Sequence, residues 1–173
     1  MTSAKINTKT IARIAAVQAI YQYKPEDPKH NIEKIIQQII QFYQDERAAN
    51  SLTTNLTASL NKPIKVKLSI SHFELLVKSV VINLPQIDKM ISRHLTAEWQ
   101  ITSLPVLLLA LLRVAICELQ FFPNVPNKVV INEFTDITND MLSEGEVGFV
   151  NSVLDRIAKI SSENFEEIAD HDI

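Results

Sequence analysis

The stretch Leu104–Phe122 constrains the fold more than any other part of this chain. It reads LPVLLLALLRVAICELQFF, so apolar residues surround almost the whole helix that it predicts. A helix that is apolar on all sides is a buried helix. Arg113, Glu118 and Gln120 interrupt the run before the roughly 18 uncharged residues of a membrane span accumulate. The stretch therefore predicts the central, buried helix of an all-α domain.

Length and glycine content narrow the fold class further. A chain of 173 residues suits one domain, or two small subdomains that share a core. Its 2 glycines, Gly145 and Gly148, are too few for a fold with many tight turns or for a glycine-rich phosphate loop. Hydrophobic residues make up 46% of the chain and charged residues 21%, which is typical of a globular protein.

Apolar residues at helical spacing predict further helices on both sides of the central one. In chain order these helices cover about residues 9–23, 31–48, 71–84, 86–95, 125–142 and 143–160. A segment at about 49–68, rich in Ser, Thr and Asn, predicts a flexible loop, and about 162–173 predicts an acidic tail. We therefore expect about seven helices and no sheet.

Capping patterns indicate where several of these helices begin. The pairs Ser71–Glu74 and Ser143–Glu146 have the spacing of a capping box, in which the serine and the glutamate each satisfy a free backbone N–H. Asn31 is a favourable cap for the second helix. Ser103 precedes the central helix, and Pro105 suits the first turn of that helix because its missing N–H costs nothing there.

No arrangement of side chains predicts catalysis. Cys117 has no catalytic partner nearby, and a single cysteine with 4 scattered histidines does not make a zinc site. The lone cysteine excludes an intramolecular disulfide, so we expect a reducing, cytoplasmic compartment. Arg113 and Glu118 are the strongest candidates for ionisable catalytic residues, but buried charges mostly form structural pairs. We expect a binding protein, with no enzyme activity, metal, cofactor or membrane contact.

The charge balance restricts nucleic-acid binding to a local patch. The formal net charge is −3, so the chain as a whole does not attract phosphates. Lys5, Lys9 and Arg13 form a sparse basic row at spacings of four in and before the first predicted helix. This row is either a solvated helix face or a set of phosphate contacts.

Four segments occur in an order and spacing shared with a known family. They are ARIAAVQAIYQY at Ala12–Tyr23, LLRVAICEL at Leu111–Leu119, VPNKVVINE at Val125–Glu133 and FVNSVLDRIAK at Phe149–Lys159. Together they resemble the NusB family of transcription antitermination factors, whereas residues 31–68 match it poorly. The resemblance implies a single NusB-like domain over 1–173. Two small helical bundles would form it, an N-terminal subdomain at about 9–95 and a C-terminal one at about 102–161.

The resemblance also implies a function and a set of partners. Such a factor binds boxA RNA in ribosomal-RNA leader transcripts together with NusE, a small-subunit ribosomal protein. The complex makes RNA polymerase resist termination, so the implied partners are boxA RNA, NusE and the RNA polymerase antitermination complex. Phosphate contacts would hold the single strand, while aromatic side chains stack on its bases.

The RNA-binding residues that the resemblance implies are only partly cationic. They are Lys9, Arg13, Tyr21, Arg113, Lys128 and Phe149. Thr10 and Ile11 replace arginines that are typical of the family's first helix, and Gly148 stands where a lysine is common. Because fewer cations release fewer counterions, we expect weak RNA binding with a shallow salt dependence. A structural ion pair for Arg113 and a core position for Phe149 are the alternatives.

Two other functions fit the same sequence. One is a protein-only or homodimeric helical interaction module that has lost strong RNA binding, since some relatives are thought to dimerise over the RNA-binding face. The other is the NusB-like domain found at the front of some ribosomal-RNA cytosine methyltransferases. Because the chain ends at Ile173 and has no glycine-rich cofactor loop, we do not expect a methyltransferase.

Overall fold

The computed structural model describes residues 7–45, 66–96 and 99–169, with side chains as far as residue 161. Within these ranges the regular secondary structure is helical, and no strand occurs. The α-helices are α1 (Thr8–Gln22), α2 (Ile32–Gln44), α3 (Ile70–Ile82), α4 (Leu84–His94), α5 (Val106–Phe121), α6 (Asn127–Met141) and α7 (Glu144–Ala169). Short 3-10 turns lie at Pro28–His30 and Ile101–Ser103. The predicted all-α fold is confirmed.

The chain divides into two compact units, residues 1–78 and 79–173, and the boundary falls within α3. This boundary differs from the predicted one, which lay between about residues 95 and 102. In the second unit α4 packs against α5 and α7 and buries Ile87 and Ile91 completely. Apolar packing with later helices, rather than proximity in sequence, therefore assigns α4 to the C-terminal unit.

Helices α1 and α2 pack together in the first unit. The Tyr43 hydroxyl near the end of α2 donates a hydrogen bond of 3.1 Å to Gln18 Oε1 of α1. Burial raises the pKa of Tyr43 to about 12, so this hydroxyl stays protonated at neutral pH. The backbone N–H of Ser69 donates to the carbonyl oxygen of Thr8 at 3.2 Å, which fixes the residue before α3 to the start of α1.

Helix α5 is the central helix of the second unit. It packs against α4, α6 and α7, and Leu111, Leu112 and Ile116 are fully buried. Cys117 is buried beside them, and burial, followed by the nearby Glu118 carboxylate, raises the pKa of its thiol to about 12. The thiol is therefore protonated at neutral pH and unreactive as a nucleophile. In the part of the chain that the structure describes, no helix is long and apolar enough to cross a membrane.

The predicted cap at Asn31 is present, and the predicted capping box at Ser143 and Glu146 is formed only on the glutamate side, since the Glu146 N–H donates to the Ser143 carbonyl oxygen at 3.0 Å rather than to the Ser143 hydroxyl. Asn31 Oδ1 accepts the backbone N–H of Glu33 at 2.8 Å and opens α2. At the start of α7, the backbone N–H and the hydroxyl of Ser143 both donate to Glu146 Oε2 at 2.8 Å. Both interactions depend only on residues within a single turn, which is why the sequence identifies them.

Two other predicted helix starts are wrong. Helix α3 begins at Ile70, so Ser71 lies inside its first turn and is not the cap. Helix α5 begins at Val106 with Pro105 as its N-cap residue, rather than with Pro105 in its first turn. A residue before proline is disfavoured in the helical region, and Leu104 is extended accordingly. Residues 101–103 therefore form a separate 3-10 turn.

Two helix ends also differ from prediction. Helix α2 ends at Gln44 rather than at about 48, and the predicted flexible loop at 49–68 is described only for residues 66–68, which are not helical. Helix α7 continues to Ala169, so residues 162–169 of the predicted acidic tail are helical. No glycine or proline follows Gly148 in this helix. The negative charge of these residues predicted a tail, but acidic residues do not by themselves end a helix.

Candidate nucleic-acid interface

A groove on the second unit brings two aromatic rings into one site. The groove has a volume of about 570 Å³, and Leu104, Leu108, Trp99 and Phe149 supply much of its apolar lining. The Trp99 side chain is 53% exposed, and Phe149 is half-buried. Both residues therefore keep ring surface that a planar ligand can contact.

The end of α4 contributes a polar group to this groove. His94, the last residue of α4, lines it, and its Nδ1 lies 2.8 Å from the carbonyl oxygen of Met90. Because a carbonyl oxygen only accepts hydrogen bonds, Nδ1 carries the proton and donates. This hydrogen bond fixes the imidazole ring and leaves Nε2 for another partner.

The first turns of α7 form another wall. Hydrogen bonds from the Ser143 backbone N–H and then from its hydroxyl lower the pKa of Glu146, which keeps this carboxylate charged. A negative charge in the first turn of a helix is stabilised by the helix dipole. The cap therefore holds the turn that leads to Phe149.

Arg156 supplies a cation to the same groove. It is exposed and lies about two helical turns after Phe149, so the two side chains project from one face of α7. Arg156 is absent from the predicted set of RNA-binding residues, although its helical spacing from Phe149 indicates that the two side chains share a face. Trp99 lies between helices, where periodicity carries no such signal.

Gly148 leaves room for a larger side chain next to Phe149. A Cβ atom built at Gly148 would meet no heavy atom within 4 Å, and the residue is exposed. The lysine that is common at this position in the resembling family would therefore fit without a clash. Packing therefore does not explain why this chain has glycine rather than lysine at position 148.

Arg113 takes part in a bidentate ion pair. Its Nε donates to Asp88 Oδ1 and its Nη2 donates to Asp88 Oδ2, both at 2.8 Å. The two side chains are 21% and 30% exposed. The structural ion pair that the sequence left as an alternative is thus present, and a contact between Arg113 and RNA stays a prediction.

Lys128 is a more accessible cation. It is exposed in the first turn of α6 and makes no ion pair with any residue that the structure describes. A positive charge in the first turn of a helix is opposed by the helix dipole. Its position therefore contributes nothing to helix stability, and it is free to meet a phosphate.

The three predicted residues on α1 differ widely in exposure. Lys9 is exposed and Tyr21 is 49% exposed, but Arg13 is only 2% exposed and its side chain already has a partner. Burial disfavours a direct contact between Arg13 and a phosphate. On the first unit, the accessible part of the predicted set is therefore Lys9 and Tyr21.

These features define an all-helical protein with a groove lined by aromatic side chains. Over residues 7–45, 66–96 and 99–169, no group of His, Cys, Asp and Glu side chains is placed to hold a metal ion. The groove instead combines stacking surfaces with a guanidinium group, which is the chemistry that proteins use to hold single-stranded nucleic acid.

Comparison with known proteins gives the family. The model of the NusB family matches residues 10–159. The transcription antitermination protein NusB of Rickettsia conorii is 54% identical over 159 residues, which cover 92% of this chain and 96% of that relative. The corresponding protein of Rickettsia bellii is 51% identical over 158 residues, covering 91% and 94%. The chain belongs to the NusB family.

A solved structure of NusB from T. maritima superposes with a TM-score of 0.67 at 27% identity, and the match covers 88% of this chain and 92% of that one. A structure of antitermination factors NusB and NusE in complex with double-stranded RNA gives a TM-score of 0.65 at 21% identity, covering 90% and 98%. The second likeness concerns the fold alone. Together they place the described helices in the NusB fold.

Proposed function

We propose that this protein is a transcription antitermination factor that binds boxA RNA of ribosomal-RNA transcripts together with NusE. Its place of action would be the antitermination complex of RNA polymerase, and so the cytoplasm. Membership of the NusB family and the names of its relatives support this proposal. The observation that carries it is the groove in which Trp99, Phe149 and Arg156 meet.

The groove suits single-stranded RNA because each of its groups matches one part of the strand. An unpaired base exposes both of its faces, and stacking on an aromatic side chain is worth about 1–3 kcal/mol per base. Trp99 and Phe149 supply such surfaces. Arg156 supplies a planar guanidinium that donates parallel hydrogen bonds to a phosphate. The protein would act by holding RNA for its partners, without making or breaking a bond.

The test is fluorescence anisotropy of a labelled boxA RNA, with and without NusE, across a series of salt concentrations. We expect NusE to strengthen binding. Phe149→Ala should weaken binding about tenfold, because it removes a stacking surface, while Phe149→Tyr should retain it. Phe42→Ala is the matched control, since Phe42 is an exposed phenylalanine on α2 in the first unit. Absence of binding both with and without NusE would overturn the proposal.

A protein-only or homodimeric module is the second candidate, and the two arginines favour it. Arg13 is buried and Arg113 is held by Asp88, so two of the predicted cations are already engaged. Analytical ultracentrifugation with and without NusE separates the two candidates. A chain that binds NusE or itself but leaves boxA RNA free would establish the second candidate.

A further inference from the structure

The ion pair between Asp88 and Arg113 lies close to the groove along both helices that carry it. His94 lines the groove and lies about 9 Å along α4 from Asp88, at 1.5 Å per residue. Leu108 also lines it and lies about 7.5 Å along α5 from Arg113. His94 follows Asp88 in the chain, whereas Leu108 precedes Arg113, so the two helices run antiparallel here. The ion pair therefore joins α4 to α5 within about 9 Å of the groove along each helix axis.

We propose that Asp88 is a positioning residue for RNA recognition, acting through Arg113. The bidentate pair holds α4 against α5 and so sets the separation of the groove walls that these helices carry. This inference rests on the proposed function of the groove. Apolar contacts of Ile87 and Ile91 bury α4, but such contacts are not directional and allow small shifts. Two parallel hydrogen bonds between charged groups fix both distance and orientation.

The geometry of the pair argues against a direct phosphate contact by Arg113. Both Asp88 oxygens accept from the guanidinium at 2.8 Å, so the carboxylate is fully engaged with it. A phosphate that approached the same guanidinium would bring its negative charge beside this carboxylate, and like charges repel. Arg113 therefore serves RNA binding through the position of α4.

The experiment compares Asp88→Asn, Arg113→Lys and the double variant in boxA RNA binding across a salt series. Arg113→Lys keeps the positive charge but cannot form the bidentate pair. If the pair positions the groove, each single variant should weaken RNA binding by a similar factor of about threefold to tenfold, and the double variant should be no weaker than the singles. The slope of log Kd against log salt concentration should stay unchanged, because no phosphate contact is lost.

A spectroscopic readout reports the groove without RNA. Trp99 is the only tryptophan of the chain and lines the groove, so its emission responds to the groove walls. We expect a shift of the emission to longer wavelength and stronger quenching by acrylamide in both single variants. Asp155→Asn is the matched control, since it removes the same charge from an exposed ion pair with Lys159. Ile137→Val in α6 controls for a general loss of stability, because Ile137 is buried and does not line the groove.

The outcomes separate this inference from the proposed function. Unchanged affinity in Asp88→Asn, together with a salt slope that falls by about 0.7 when Arg113 is replaced by glutamine, would make Arg113 a direct phosphate ligand and overturn the inference. Failure of the unmodified protein to bind RNA would overturn the proposed function. In that case the role in RNA recognition falls with it, and Trp99 emission decides only whether the ion pair positions the groove walls: a shift in both variants supports this, and an unchanged spectrum overturns it.

Discussion

Helices α1 and α7 each carry an arginine and an aromatic residue, and they expose these side chains in opposite ways; Arg13, Tyr21 and Phe149 belong to the predicted RNA-binding set, whereas the structure adds Arg156. On α1 the cation Arg13 is buried, while the aromatic Tyr21 is half-exposed. On α7 the cation Arg156 is exposed, while the aromatic Phe149 lies partly inside a groove. The residue types are alike, but the face of the helix that packs into the core differs. A family motif therefore identifies the helix, and burial decides which of its side chains can meet a ligand.

The largest effect should come from Arg13. Arg13→Ala removes a buried cation whose side chain has a partner, so we expect it to lower the free energy of unfolding by about 3 kcal/mol. Urea denaturation measures this loss. Lys9→Ala on the exposed side of α1 is the control and should change stability by less than about 0.5 kcal/mol. If Arg13→Ala were as stable as the unmodified protein and had a reduced salt slope for RNA binding, Arg13 would contact a phosphate, and the difference drawn between α1 and α7 would be wrong.

A smaller effect is expected at Gly148, where both stability and binding should rise. Gly148→Lys replaces a glycine inside α7 by a better helix former in open space, so we expect a gain of about 0.7 kcal/mol in unfolding free energy. The added cation next to Phe149 should steepen the RNA salt slope by about 0.7. Gly148→Ala separates the two effects, since it should stabilise α7 and leave the slope unchanged. A lysine variant with the same slope as the alanine variant would place RNA elsewhere.

Arg156 tests the same comparison on α7, where the cation is exposed. Arg156→Gln removes an exposed cation from the groove, so the RNA salt slope should fall by about 0.7. Stability should hardly change, because the side chain is exposed. The measurement is anisotropy at several salt concentrations alongside thermal unfolding. Equal salt slopes for the variant and the unmodified protein would remove Arg156 from the RNA site.

The smallest effect concerns the cap of α7. Hydrogen bonds from Ser143 lower the pKa of Glu146 below its ordinary value of 4.5 in the folded state. This contribution to stability is present above pH 4.5 and is lost as the pH falls through the lowered pKa of the folded state. Glu146→Gln should therefore reduce the acid-dependent part of the change in Tm between pH 7 and pH 3. Identical pH profiles for the two proteins would show that the cap carries no measurable charge effect.

The sequence by itself determined the features that depend on neighbouring residues. The stretch that is apolar on all sides predicts α5, the central helix of the second unit, and Asn31 and Ser143 mark the starts of α2 and α7. Helical periodicity and capping both act within a few residues, so the sequence contains all the information they need. The resemblance to the NusB family rests on four segments within or next to these helices, and the match of the family model confirms it.

Only the tertiary structure decided which functional side chains are free. The Asp88–Arg113 pair joins residues 25 positions apart, and the burial of Arg13 depends on what packs against α1. The same holds for the groove, which combines Trp99 from a connecting segment with Phe149 of a later helix. Such contacts depend on how helices pack, and helix packing is set by the apolar surfaces of several segments at once. A single segment of sequence does not contain that information.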